Sequence, residues 1–184
     1  MTQKIYTTYV ELHENTYYAR DSIVNVDLMQ TPYVNNCMYG AFGYCPNLRS
    51  VTNINPNVTN MRSAFYNCQN LRTAPSIPGS VSDLNAAFYT CTNLTSMPTI
   101  ANGVEDMSHT FMYCSNLSTV TAIPNSVNDI CYCFAYTNIS ASPTLPPSIT
   151  ELDYTYAFCK NLLVNELYLI VLREIDCLYT FSEM

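Results

Sequence analysis

A repeat solenoid of stacked β coils is the fold class this sequence predicts, and three observations predict it. First, Phe42, Phe65, Phe88, Phe111 and Phe134 recur at steps of 23 residues, and Tyr156 and Tyr179 continue the series after one step of 22. Second, a cysteine follows three positions after most of these aromatics: Cys45, Cys68, Cys91, Cys114 and Cys159, with Thr137 in the short copy. Third, the 184 residues are 48% hydrophobic but only 11% charged, with polarity carried by Asn, Thr, Ser and 16 Tyr. A helical bundle would want Glu, Lys, Ala and Leu instead. Self-similarity at a fixed short period is the mark of stacked repeats, in which no unit buries its apolar face alone.

Residues 1–34 lie before the regular period, and we read them as an N-terminal cap or attachment segment. Their Ile5–Leu12 stretch is rich in Tyr and Val and reads as a strand. Residues 35–162 form the array, about six coils of 23 residues. Each coil opens on the aromatic and the cysteine, then continues with Asn-Leu at Asn47-Leu48, Asn70-Leu71, Asn93-Leu94, Asn116-Leu117 and Asn161-Leu162. In the short copy Asn138-Ile139 comes one residue early and places the deletion near Thr137. The stretch after Leu reads as a short strand. Turn formers follow, as in Ile123-Pro124-Asn125-Ser126-Val127. The apolar spacing of Val81, Leu84, Ala87 and Phe88 then reads as a short helical turn. Residues 163–184 keep the anchor positions at Tyr168, Leu172, Ile175 and Tyr179 and read as a degenerate last repeat.

The stretches Ala64-Phe65-Tyr66-Asn67-Cys68-Gln69-Asn70-Leu71 and Ile77-Pro78-Gly79-Ser80-Val81 resemble the BspA-type leucine-rich repeat. The resemblance covers roughly residues 35–179. It implies a parallel β-sheet on one face of the solenoid and short helical turns on the other. It also implies a role like that of bacterial surface adhesins or of bacteriophage structural and receptor-binding proteins. The family shares no catalytic residues, so none is carried over. A second proline in several copies, at Pro75, Pro98 and Pro143, departs from the commonest form and is expected to shorten the strand.

Candidate sites follow from the columns. The stacked cysteines invite disulfide or metal readings, but free Cys packs well as a small buried hydrophobe, and we expect reduced, buried thiols. Cys131 and Cys133 lack the partner spacing of a structural zinc site. Asp83, Asp106, Asp129 and Glu151, with Asn60 in the first copy, could hold calcium; N-capping of the helical turn is the favoured role. Asn57, Asn93, Asn116 and Asn138 match N-x-[ST] largely because of how the repeat reads. His13 and His109 are the whole histidine complement, and no nucleophile-base-acid set is built from them. We therefore expect no enzyme, no cofactor and no metal.

What remains is a surface. Arg49, Arg72, Thr95 and Ser118 directly follow the Leu anchors and are the candidate contact residues of the sheet side. Tyr44, Tyr66, Tyr89, Tyr113 and Tyr136 fall between the aromatic and cysteine positions, though not in one column. The net charge of −7 disfavours nucleic acid as a partner. No apolar run reaches the ~20 residues of a membrane span. The expected partners are a protein or glycan surface, or neighbouring virion or surface chains. The N-terminal residues show no secretory signal, which favours a virion surface over a cell-surface adhesin or an intracellular scaffold.

Overall fold

The structure is a computed structural model and describes residues 3–4, 20–29 and 36–163. The expectations for Ile5–Leu12, His13 and most of residues 163–184, Tyr179 included, lie outside the described residues.

Three strands, β1 (Gln3–Lys4), β2 (Asn25–Leu28) and β3 (Ser50–Ile54), form a parallel sheet in the order β1-β2-β3. Asn25 pairs with Ser50, and a register shift between Val26 and Leu28 brings Leu28 opposite Ile54. The sheet thus reaches N-terminal of the 23-residue register, and Ile23, Val26 and Leu28 join the same core as the repeat anchors.

After β3 the sheet thins to isolated parallel bridges, Ser50 with Thr73, Ile77 with Ile100 and Ser96 with Thr119. Proline is the reason. Thr52, Pro75, Pro98, Thr121 and Pro143 occupy one column, and a proline has no N–H to give a neighbouring coil. β3, with Thr52 in that column, runs for five residues; Thr121 sits between two prolines and forms no strand.

A second column of parallel bridges runs Cys37, Asn60, Asp83, Asp106, Asp129, Glu151. From it the chain enters the segment expected to be a helical turn. The backbone there is instead a chain of β-turns. The Ala64, Tyr66 and Cys68 N–H groups donate three residues back, to Met61, Ser63 and Phe65 carbonyls at 2.9–3.1 Å. The intervening Met61, Ser63, Phe65 and Asn67 N–H groups donate to the next coil, at 2.7–2.9 Å. Alternate residues thus serve the coil and the stack, an arrangement closed to a helix, whose N–H groups all point along its own axis. The turns are made by left-handed residues at two positions per coil, such as Ser63 and Asn67, Ala86 and Thr90, His109 and Tyr113. The apolar spacing predicts a short helical turn; its side chains do face the core, but the backbone is a chain of β-turns, which returns to one face after three residues as a helix does.

Phe42, Phe65, Phe88, Phe111, Phe134 and Tyr156 form one interior column with ring centroids 5.3–5.8 Å apart and planes within 17°. Beside it stand Ala41, Ala64, Ala87, Thr110, Cys133 and Thr155, all buried. Where this small column turns polar, the hydroxyl finds backbone partners: Thr110 Oγ1 donates to Met107 and Leu84 carbonyls at 2.7 and 3.0 Å. Cys133 belongs to this column, whereas Cys131 lies outside it and is partly exposed; neither is in a disulfide. At the turn before the bridges, backbones meet directly: a Cβ on Gly103, whose φ is 129°, would lie 2.0 Å from the Gly79 carbonyl oxygen.

Candidate binding surfaces

Four columns carry the chemistry that the sequence singled out. The thiols come first. Cys45, Cys68, Cys91, Cys114 and Cys159 are buried and outside any disulfide. Cys68, Cys91, Cys114 and Cys159 each direct Sγ at the carbonyl of Phe42, Phe65, Phe88 and Phe134 respectively, at 2.9–3.3 Å. In the short copy Thr137 takes over, its Oγ1 2.7 Å from the Phe134 carbonyl and 3.3 Å from Cys159 Sγ. Burial pushes the Cys114 thiol up to about 12. Cys91 is raised by burial too, and Cys68 by its hydrogen bond to Cys45 before burial adds to it. A thiol held protonated is a poor nucleophile and a poor metal ligand.

The acidic column sits on the bridges that open each chain of turns. Asn60, Asp83, Asp106 and Asp129 each accept the N–H two residues on, from Arg62, Asn85, Ser108 and Cys131, at 2.7–2.9 Å. The side chain closes an Asx turn rather than capping a helix. The neutral Asn60 does the same work, and its Nδ2 reaches Asp83 Oδ2 at 3.0 Å.

On the sheet side, Arg49, Arg72, Thr95 and Ser118 are all exposed. Their backbones are tied coil to coil: Arg72 N–H donates to the Arg49 carbonyl at 2.9 Å and Ser118 N–H to the Thr95 carbonyl at 3.1 Å. The neighbouring Asn column is also outward, and it spans coils; Asn47 Nδ2 reaches the Asp21 carbonyl and Asn70 Nδ2 the Pro46 carbonyl, at 2.8 and 2.7 Å.

The turn side holds what column-by-column reading of the sequence missed. Tyr44, Tyr66, Tyr89, Tyr113, Tyr136 and Phe158 form a continuous outer ladder with centroids 4.4–5.5 Å apart. The ladder slips one residue between Tyr44 and Tyr66 and back again between Tyr89 and Tyr113, which hides it from a strict 23-residue period. A second outer ladder, His109, Tyr132 and Tyr154, stacks at 5.1 and 4.8 Å. His109 is thus a stacked surface ring. Among the first ladder's phenols, burial raises Tyr66 and Tyr89 above the ordinary tyrosine value.

The fold and its columns define a class: a leucine-rich-type repeat array that presents rows of like side chains and keeps its anchors inside. The chain belongs to the BspA type leucine rich repeat family, whose six-copy pattern matches residues 2–72 and 38–165. Among solved structures it is similar to a leucine rich cell surface protein from Faecalibacterium prausnitzii A2-165, with 25% identity and a TM-score of 0.58. That match covers 76% of this chain and 38% of the other, so the chain spans well under half of that protein. No curated protein matches the chain.

Proposed function

We propose that the chain is a non-enzymatic binding module displayed on a cell surface, engaging a protein or glycan through the sheet-side row Arg49, Arg72, Thr95 and Ser118. The observation that carries this reading is the likeness to a leucine rich cell surface protein over 76% of the chain. The geometry supports it: the four side chains are exposed, and backbone bonds between coils tie Arg49 to Arg72 and Thr95 to Ser118, so a partner meets several contacts on a stacked base. Arg at this row offers charge-assisted hydrogen bonds, and Thr and Ser offer neutral ones. Residues 1–34 serve as the closing or attaching segment, with β2 covering the first coil.

The virion placement expected from the sequence rested on the N-terminal residues, and the comparisons favour the cell-surface alternative. No helix of the described residues is long and apolar enough to cross a membrane. An antibody raised against the chain tests the placement on intact source cells. Labelling before lysis is expected; labelling only after lysis sinks the surface reading. The contact row is tested by screening the chain against immobilised matrix proteins and glycans. For any probe retained, Arg49→Ala with Arg72→Ala should weaken binding about tenfold, and an unchanged affinity removes the row from the proposal.

A further inference from the structure

The turn side carries a second surface, independent of the sheet-side row. Its aromatic ladders overlap in one half of the molecule. His109, Tyr132 and Tyr154 each stand four residues before Tyr113, Tyr136 and Phe158, so the last described coils present a double strip of six rings. Earlier coils place Gly40, Ser63 and Ala86 at the second-ladder position and carry only a single strip.

Charge changes along the same axis. Residues 36–99 hold Arg49, Arg62 and Arg72 against Asp83. Residues 100–163 hold Glu105, Asp106, Asp129, Glu151 and Asp153 against Lys160. Asp106, Asp129 and Glu151 each lie three residues before a ring of the second ladder, and Asp153 lies next to Tyr154. The carboxylates therefore lie on the same turn segments as the double strip, and all of them are at least partly exposed.

Ring packing narrows the occupant. Within each half-strip the planes lie within 22° and the centroids within 5.1 Å, so neighbours cover each other's faces. Stacked in this way, the rings leave their edges more open than their faces. A flat sugar needs an open ring face to stack on. A second copy meeting this face with the same face would bring like charge against like charge, which is unfavourable. An extended basic segment fits on both counts, because guanidinium and ammonium groups donate to phenolic and carboxylate oxygens while their methylene stems lie on ring edges.

We propose that the double aromatic strip of residues 109–158, with its flanking carboxylates, docks an extended arginine- or lysine-rich polypeptide segment of a partner protein.

The repeat itself supplies variants that keep the fold. Asn60 already does the work of the aspartates in its column, and Ser63 and Ala86 already stand where Tyr132 and Tyr154 stand. The test uses the full chain with a fluorescein-labelled oligoarginine peptide, with oligoglutamate as the counter-probe, followed by fluorescence anisotropy. Oligoarginine is expected to bind and oligoglutamate not. Asp106→Asn, Asp129→Asn and Glu151→Gln together should weaken binding about tenfold. Tyr132→Ala with Tyr154→Ala, all charges kept, should weaken it about threefold. Asp21→Asn, a charge change far along the array, should leave it unchanged. Circular dichroism confirms that each variant is folded. Absence of oligoarginine binding overturns the proposal. So does a loss in the acidic variant without one in the ring variant, which reduces the effect to general electrostatics, and a ring effect without an acidic one removes the basic occupant.

Discussion

Phe88 shows what one residue contributes to a stack. It is fully buried, with Phe65 at 5.3 Å on one side and Phe111 at 5.6 Å on the other. Because the coils above and below are fixed by their own bonds, the site cannot collapse around a lost ring. Phe88→Ala should therefore destabilise the protein by about 3–5 kcal/mol, read from urea unfolding; a loss below about 1 kcal/mol would mean that the column is not continuous. The thiols make a second prediction. Burial raises Cys114 from 9.0 to about 12 in the folded chain. The unfolded chain then releases its thiol protons first as pH rises above the ordinary thiol value. Stability owed to the neutral thiols is complete below that value and is lost as pH climbs toward the folded one. Unfolding midpoints should fall between roughly pH 8.5 and 11, where unfolded thiols ionise, and the slope should flatten when the buried Cys column is replaced by Ala.

At the scale of elements, the turn segment separates what periodicity can say from what it cannot. The three-residue spacing of Val81, Leu84 and Ala87 fixes which side chains face inward, and the structure buries all three. It does not fix the backbone, because a helix and a chain of β-turns return to the same face at that spacing. The deciding feature is where alternate N–H groups go, and sequence carries that only faintly, through Gly40 in a column that otherwise holds Ser63, Ala86, His109, Tyr132 and Tyr154. Ala86, at φ 54°, is an L-residue in the left-handed region, where a Cβ is unfavourable. Ala86→Gly should stabilise the chain by about 0.5–1 kcal/mol, the relief of strain exceeding the added freedom of the unfolded state. Thermal unfolding checks it; a destabilisation equal to that of a glycine in a regular strand would show that the turn chain is not formed. The strand was the more legible element, since the proline column that ends it is visible in the sequence and its missing N–H gives the reason.

For the whole molecule, the inside was more legible than the outside. Phe, Cys, Leu and Val anchors obey a strict period because each must fit an identical neighbour above and below, so selection by packing writes the register into the sequence. Surface rings obey only proximity. Tyr66 and Tyr89 join the same ladder as Tyr44 and Tyr113 from one position earlier in the repeat, and side-chain reach absorbs the slip. The doubled strip at Tyr132 and Tyr154 did keep the period, but it has only three members and one is a histidine, so it reads in the sequence as unrelated residues. Both proposed surfaces depend on the coils being stacked in register, because only then do exposed side chains fall into rows. Native-state alkylation followed by peptide mass spectrometry tests that stacking most directly. With a neutral maleimide and no denaturant, Cys45, Cys68, Cys91 and Cys114 should stay unmodified while the half-exposed Cys37 reacts, and all should react once the chain is unfolded. Rapid modification of all four interior thiols in the native chain, or masses showing them paired as disulfides, would contradict it.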